Sequence, residues 1–91
     1  MKYFDWDEKK NELLKKKRNI SFEEIVLSIA NNKLMDIVEH QNKSKYPNQK
    51  IMIVEVNEYM YLVPFVEDDE KYFLKTIYPS REATKEYLNK E

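Results

Sequence analysis

The chain has 91 residues, no cysteine, no glycine and a formal net charge of −1. A chain of this length makes one domain, 1–91, with one core and little surplus stability. Without cysteine there are no disulfides, thiolate chemistry or cysteine metal sites; without glycine there is no phosphate-cradling or dinucleotide loop; and a near-neutral sum argues against tight general binding to a nucleic-acid backbone.

Tyr3-Phe4-Asp5-Trp6 reads as a short strand. Asp7, or Asp5 before it, can cap the helix that follows, because a carboxylate accepts the free N–H groups of a first turn. That helix is expected to run to Arg18, with Leu13 and Leu14 as a narrow apolar stripe and lysines in its last turn, where the helix dipole favours cations. Ser21-Phe22-Glu23-Glu24 is a capping box. Phe22, Ile25, Val26 and Ile29 follow at helical spacing, so the second helix buries one face. Asn31-Asn32 ends it, since Asn tolerates the left-handed conformation.

From Lys33 the period changes to two. Leu34 to Glu39 is a predicted strand, and His40 to Asn48 a polar loop. Lys50 to Val56 is the next strand, with Ile51, Ile53 and Val56 on or near the inward side. Asn57-Glu58 reads as a hairpin turn into Tyr59 to Val66, where Pro64 suggests an edge or a bulge. The acidic turn Glu67–Glu70 leads into a single strand from Lys71 to Tyr78. Pro79 and Ser80 open a last helix reaching Asn89, with Ala83 and Tyr87 on one face. The order β-α-α-β-β-β-β-α predicts an α+β domain: a small, mostly antiparallel sheet with two N-terminal helices and one C-terminal helix packed against it.

Charge is less even than its sum. Residues 40–50 hold His40, Lys43, Lys45 and Lys50 with no acid among them, while acids gather at Glu67-Asp68-Asp69-Glu70. That acidic run reads as a solvated hairpin tip rather than a Mg²⁺ site. His40 is the only histidine and follows a predicted strand into the basic loop, so it can serve as general acid or base. The bland alternative is an inert surface residue. With one His and no Cys, neither a metal site nor a cofactor is expected.

Cations, hydroxyls and one imidazole suit metal-independent RNA cleavage. That reaction needs a base for the 2′-OH, an acid for the leaving 5′-oxygen, and positive charge where the phosphorane forms. Arg81 lies in the first turn of the last helix, where free N–H groups already favour an anion and a cation is unfavourable for the helix itself. Its ordinary alternative is solvation, or a salt bridge to Glu82 or the acidic turn. Arg81, Lys50 and His40 are the candidate catalytic residues. Lys75 is expected to share a groove with Lys50, Tyr78 to stack on a base, and Lys43 and Lys45 to attract RNA. For Lys50, Lys75 and Tyr78 the competing reading is strand-edge solvation or packing.

Trp6-Asp7, Ile20-Ser21-Phe22-Glu23-Glu24 and Arg81 with Ala83-Thr84 resemble the BrnT-like toxins of bacterial type II toxin–antitoxin systems, which are RelE/ParE-like in fold. The resemblance implies a ribonuclease that blocks translation, an RNA substrate that is free or ribosome-bound, and a cognate antitoxin that neutralises it. Lys50 falls where that family often has a basic residue opening a central strand. The family's Lys-His-Gly is Lys17-Arg18-Asn19 here, its Ser-Ala-Arg is Pro79-Ser80-Arg81, and a basic position in the preceding strand is Thr76. No signal-peptide segment and no run approaching the ~18 apolar residues of a membrane span is visible, so a cytoplasmic protein without membrane association is expected. The rival reading is a non-catalytic interaction domain that binds a protein partner through its tyrosine-rich strands, since interfaces favour aromatic residues. A DNA-binding regulator is weaker, because no helix-turn-helix pair with a basic recognition face is evident.

Overall fold

The computed structural model describes residues 2–40, 42 and 44–88. In chain order the elements are β1 (Tyr3–Trp6), α1 (Glu8–Arg18), α2 (Phe22–Ala30), β2 (Leu34–Glu39), β3 (Lys50–Val56), β4 (Tyr59–Glu67), β5 (Lys71–Leu74), β6 (Tyr78–Pro79) and α3 (Arg81–Tyr87). This is an α+β fold of three helices and one mixed sheet. Asn89, to which the last helix was expected to reach, lies outside the described residues.

Asn57 and Glu58 both take positive φ, 54° and 63°. A turn of that kind twists with its flanking strands and so fixes the pairing of β3 with β4. The register runs from Lys50 opposite Phe65 to Val56 opposite Tyr59. Around this hairpin the sheet order is β1-β5-β4-β3-β2, with β6 also paired to β4. Neighbours are antiparallel except β1 and β5, which run parallel.

Both faces of the hairpin are covered, which corrects the expectation of one inward side carrying Ile51, Ile53 and Val56. Met52, Val54, Val56, Val63 and Phe65 pack with Leu14, Phe22 and Ile25 of α1 and α2. Ile53 and Met60 face the other way and pack with Ala83 of α3. Met52 and Val54 alternate with Ile53 because successive side chains point to opposite faces. A bulge in β2 assists this division. Leu34 pairs with Val54 while Asp36 pairs with Ile53, so Met35 is the extra residue. Leu34 joins the first cluster and Met35 the second.

Two strand expectations change. The single strand from Lys71 to Tyr78 is split into β5 and β6, and residues 75–77 leave the sheet between them. Pro64 sits on a central strand, not an edge. Its carbonyl accepts from the Lys75 N–H at 2.7 Å. In an antiparallel strand a residue's N and C=O point to the same side, so the absent proline N–H faces the break between β5 and β6. The β3 ladder therefore loses no bond at this position.

The helices are tied by a buried amide. Asn11, in α1, is 0% exposed. Its Oδ1 accepts from the Phe22 N–H at 2.8 Å, and its Nδ2 donates to Glu23 Oε1 at 2.8 Å. The first donors of α2 have no partner within the helix. Asn11 satisfies Phe22 while the Ser21 hydroxyl accepts from the Glu24 N–H at 3.2 Å. The Asn11 amide is also the main reason that the Glu23 carboxyl lies below its ordinary range; desolvation opposes it, and the Glu23 backbone N–H and Lys15 add smaller lowering effects. The α1 helix ends at Asn19 with φ 55°, and the turn after α2 uses Asn32 with φ 65°. Asn takes the positions that glycine fills in most chains.

Asn11→Ala leaves the Phe22 N–H buried without an acceptor, so urea unfolding is expected to show a loss of about 1–3 kcal/mol. A lowered Glu23 pKa contributes stability above the unfolded carboxylate value, and that contribution is lost as pH falls through the folded value. Wild-type stability should therefore fall more steeply than that of Asn11→Ala on acidification through this window; parallel curves would contradict the linkage. Glu58→Gly relieves a left-handed non-glycine residue and is expected to stabilise by about 1 kcal/mol or less, read as a rise of a few degrees in Tm.

Candidate functional site

The interrupted stretch between β5 and β6 carries Lys75 and Thr76, and Tyr78 opens β6 directly after it. Ile77 within it is fully buried and joins the core under α1 and α2. Arg18, at the end of α1, donates from Nη1 to the Ile77 carbonyl at 2.6 Å. That charge-assisted bond supplies the carbonyl with a partner that no strand provides. Lys75 and Tyr78, on either side of this anchor, reach the opposite face of the sheet.

The loop after β2 returns to meet them. His40 N–H donates to the Gln49 carbonyl at 3.3 Å, and Tyr46 N–H donates to the Asn42 carbonyl at 2.9 Å. The His40 and Tyr46 rings lie 4.5 Å apart at a tilt of 39°. Lys45 Nζ sits 5.5 Å from the Tyr46 ring centroid. Asn42 N–H donates to His40 Nδ1 at 3.1 Å. An imidazole accepting at Nδ1 carries its proton on Nε2 in the neutral form, so Nε2–H is what His40 has to offer.

Together these segments border an open cavity of about 370 Å³ lined by His40, Tyr46, Gln49, Pro64, Lys75, Thr76 and Tyr78. No carboxylate stands among these described lining residues. Such a site offers one ammonium, one imidazole and three hydroxyls to an anionic ligand. Among the described residues no group of three or more His, Cys, Asp and Glu side chains gathers in a way that could hold a metal ion.

Of the candidate residues, the structure brings together His40, Lys75 and Tyr78, with Lys45 beside them on Tyr46. Lys43 lies outside the described residues. Lys50 does not share the groove with Lys75. It lines a separate hollow of about 420 Å³ with Glu39, Phe65 and Glu67. The cause is strand alternation: Lys50 is opposite Phe65, on the side covered by α1 and α2, whereas Lys75 faces the other side. Arg81 is exposed at the start of α3 and does not line the cavity. Its neighbours have local structural roles. Ser80 Oγ accepts from the Ala83 N–H at 3.1 Å. Thr84 Oγ1 donates to the Ser80 carbonyl at 2.7 Å and accepts from the Met60 N–H at 2.9 Å.

Tyr46 is a site residue that the sequence reading did not single out, and Thr76 was noted only as standing where the resembling family has a basic residue. An aromatic residue inside an otherwise polar loop was the available signal for Tyr46. The acidic run is a hairpin tip. Asp68 Oδ1 accepts from the N–H groups of Glu70 and Lys71 at 2.8 and 2.9 Å, and these two bonds chiefly hold its carboxyl below the usual range. Glu67 is paired with Lys2.

Among the described residues no helix is long and apolar enough to cross a membrane. Compared with models of known protein families, with curated proteins and with solved structures, the chain finds no match.

Arg18→Met removes the partner of the Ile77 carbonyl. It is expected to cost on the order of 1–3 kcal/mol and to speed hydrogen exchange at Lys75, whose amide bonds Pro64 across the same break. Unchanged exchange at Lys75 would show that the arginine does not brace this segment.

Proposed function

We propose that this chain is the toxin component of a bacterial type II toxin–antitoxin module: a metal-independent endoribonuclease of the cytoplasm that inhibits translation and is neutralised by a cognate antitoxin. The observation that carries the reading is the cavity in which His40, from the loop after β2, meets Lys75 and Tyr78 from the β5–β6 break, with no described acid in the lining. The BrnT-like resemblance of the end motifs supports the same class.

The geometry refines the role of His40. With Nδ1 accepting from Asn42, the neutral ring presents Nε2–H as a hydrogen-bond donor. It acts as an electrophile toward a phosphate oxygen rather than as the base for the 2′-OH, for which Nε2 would have to be unprotonated. Lys75 adds a full positive charge at the same place. A donor and a cation aimed where phosphorane charge develops provide the electrostatic part of catalysis. Lys75, as the ammonium, can protonate the leaving 5′-oxygen, and the Tyr46 and Tyr78 hydroxyls are left to relay the 2′-OH proton to solvent. Tyr46 and Tyr78 also offer ring faces to an unstacked base. Lys50 and Arg81, outside the cavity, contribute general attraction for the RNA backbone.

The rival reading, a tyrosine-rich docking sheet, has less to stand on. Tyr61 and Tyr72 pack against the core beneath α1 and α2. Those two rings are therefore not free to form an aromatic docking face.

Expression of wild type beside His40→Ala, His40→Gln, Lys75→Met and Arg81→Ala, scored for growth arrest and intact cellular RNA, tests the proposal. Wild type should arrest growth and degrade RNA. Lys75→Met and His40→Ala should lower cleavage by roughly 10²-fold, the usual cost of losing one transition-state donor. His40→Gln, which keeps an N–H donor but cannot shuttle protons, should retain more activity than His40→Ala, and Arg81→Ala should lose the least. Folded wild-type protein that leaves RNA and growth untouched would move the assignment to a non-catalytic interaction domain.

A further inference from the structure

The cavity does not end at Lys75. On β5, alternation places Lys71 and Phe73 on one face and Tyr72 and Leu74 on the other, and Lys75, just past the end of the strand, lies over the Phe73 side. The second set belongs to the core: Leu74 is buried, and Tyr72 stacks on Phe4 at 5.3 Å and meets Phe65 edge-on at 5.9 Å. Phe73 points away from that aromatic group. Its ring is flanked by two ammonium groups, Lys71 Nζ at 5.7 Å and Lys75 Nζ at 5.4 Å from the centroid. Lys75 is therefore shared between this strip and the His40 cavity.

The neighbours continue the pattern. Tyr3 is opposite Lys71 in the parallel β1–β5 register and is 54% exposed. Asp5 is opposite Phe73 and lies 3.3 Å from Lys71 Nζ, and the Asp68 carboxylate acts on the same ammonium from the β4–β5 turn. On the other side Phe73 faces Val66 of β4. The buried residues beneath α3 are Ile53 and Met60, nearer the hairpin turn.

We propose that this face of β1 and β5 is a single-stranded RNA subsite, in which one base stacks on Phe73 and Lys71 and Lys75 hold the flanking phosphates. The proposal rests on the ribonuclease reading for the class of ligand. An aromatic ring between two cations meets both parts of a nucleotide, since every base has a π-face and every linkage an anion. A base entering over the ring displaces an ammonium from it, and the released lysine is already within reach of the adjoining phosphate. Stacking needs an unpaired base, so a single strand is selected over a duplex. Lys71 opens β5 and Lys75 follows its last residue, so the strip runs the length of the strand toward the cavity that Lys75 lines.

The test uses full-length protein and fluorescence anisotropy with a short fluorescein-labelled 2′-O-methyl oligouridine, which lacks the free 2′-OH needed for cleavage. Phe73→Leu should weaken binding roughly tenfold, and Phe73→Tyr should restore it, which separates stacking from lost packing. Lys71→Gln should reduce the dependence of log affinity on log salt by about 0.7. Equal binding by wild type and Phe73→Leu, or no binding by wild type, overturns the subsite. A labelled polyglutamate peptide that binds more tightly than the oligouridine, independently of Phe73, also overturns it and identifies an acidic protein segment as the occupant. Binding that depends on Phe73, in a protein that cuts no RNA, upholds the subsite while removing the nuclease reading.

Discussion

The pairing of β3 with β4 through Asn57 and Glu58 is the constraint on which the other placements depend. Both turn residues have positive φ, and the strands they join are buried on both sides. A slip of one residue would exchange the two faces of a strand. Met52 and Val54 would leave the α1–α2 layer, Ile53 would leave α3, and Lys50 and Pro64 would change sides. Hydrophobic burial on two faces makes that exchange costly for every residue at once. The turn is consequently where local backbone preference and global packing agree.

Polar interlocks then position the layers. Asn11 joins α1 to the start of α2 through Phe22 and Glu23. Arg18 joins the end of α1 to the Ile77 carbonyl in the break between β5 and β6. Thr84 joins α3 to Met60 at the start of β4. Each supplies a partner to a backbone group that its own element leaves unpaired, and such groups are expensive to bury unsatisfied. A chain without glycine uses asparagine and side-chain caps at the ends of its helices and strands, which places polar side chains close to the backbone they serve.

The candidate site arises where the sheet is interrupted. Pro64 has no N–H to offer a neighbouring strand, and opposite it residues 75–77 leave the ladder. The same interruption turns Lys75 and Tyr78 toward the loop that brings His40 and Tyr46. A local defect in hydrogen bonding thus becomes a concave site lined by an imidazole, with no carboxylate among its described lining residues. The Arg81-x-Ala83-Thr84 motif, in contrast, is largely accounted for by the packing of Ala83 and the bonds of Thr84.

The sequence alone determined features whose causes lie within a few residues. The Ser21–Glu24 capping box, an aspartate cap for α1 at Asp7 or Asp5, the start of the last helix at Pro79-Ser80, the Asn57-Glu58 turn and the strands from Leu34 to Val56 are of this kind. So is the overall α+β class, which follows from the order of helical and alternating segments. Only the tertiary structure decided that residues 71–78 form two short strands, that Pro64 lies at the centre of the sheet, and that Lys50 and Lys75 face opposite sides. It also decided that Tyr46 and Thr76 join His40. These outcomes depend on register and on contacts between segments far apart in the chain, and a sequence pattern cannot tell which of two alternating faces a distant loop will cover.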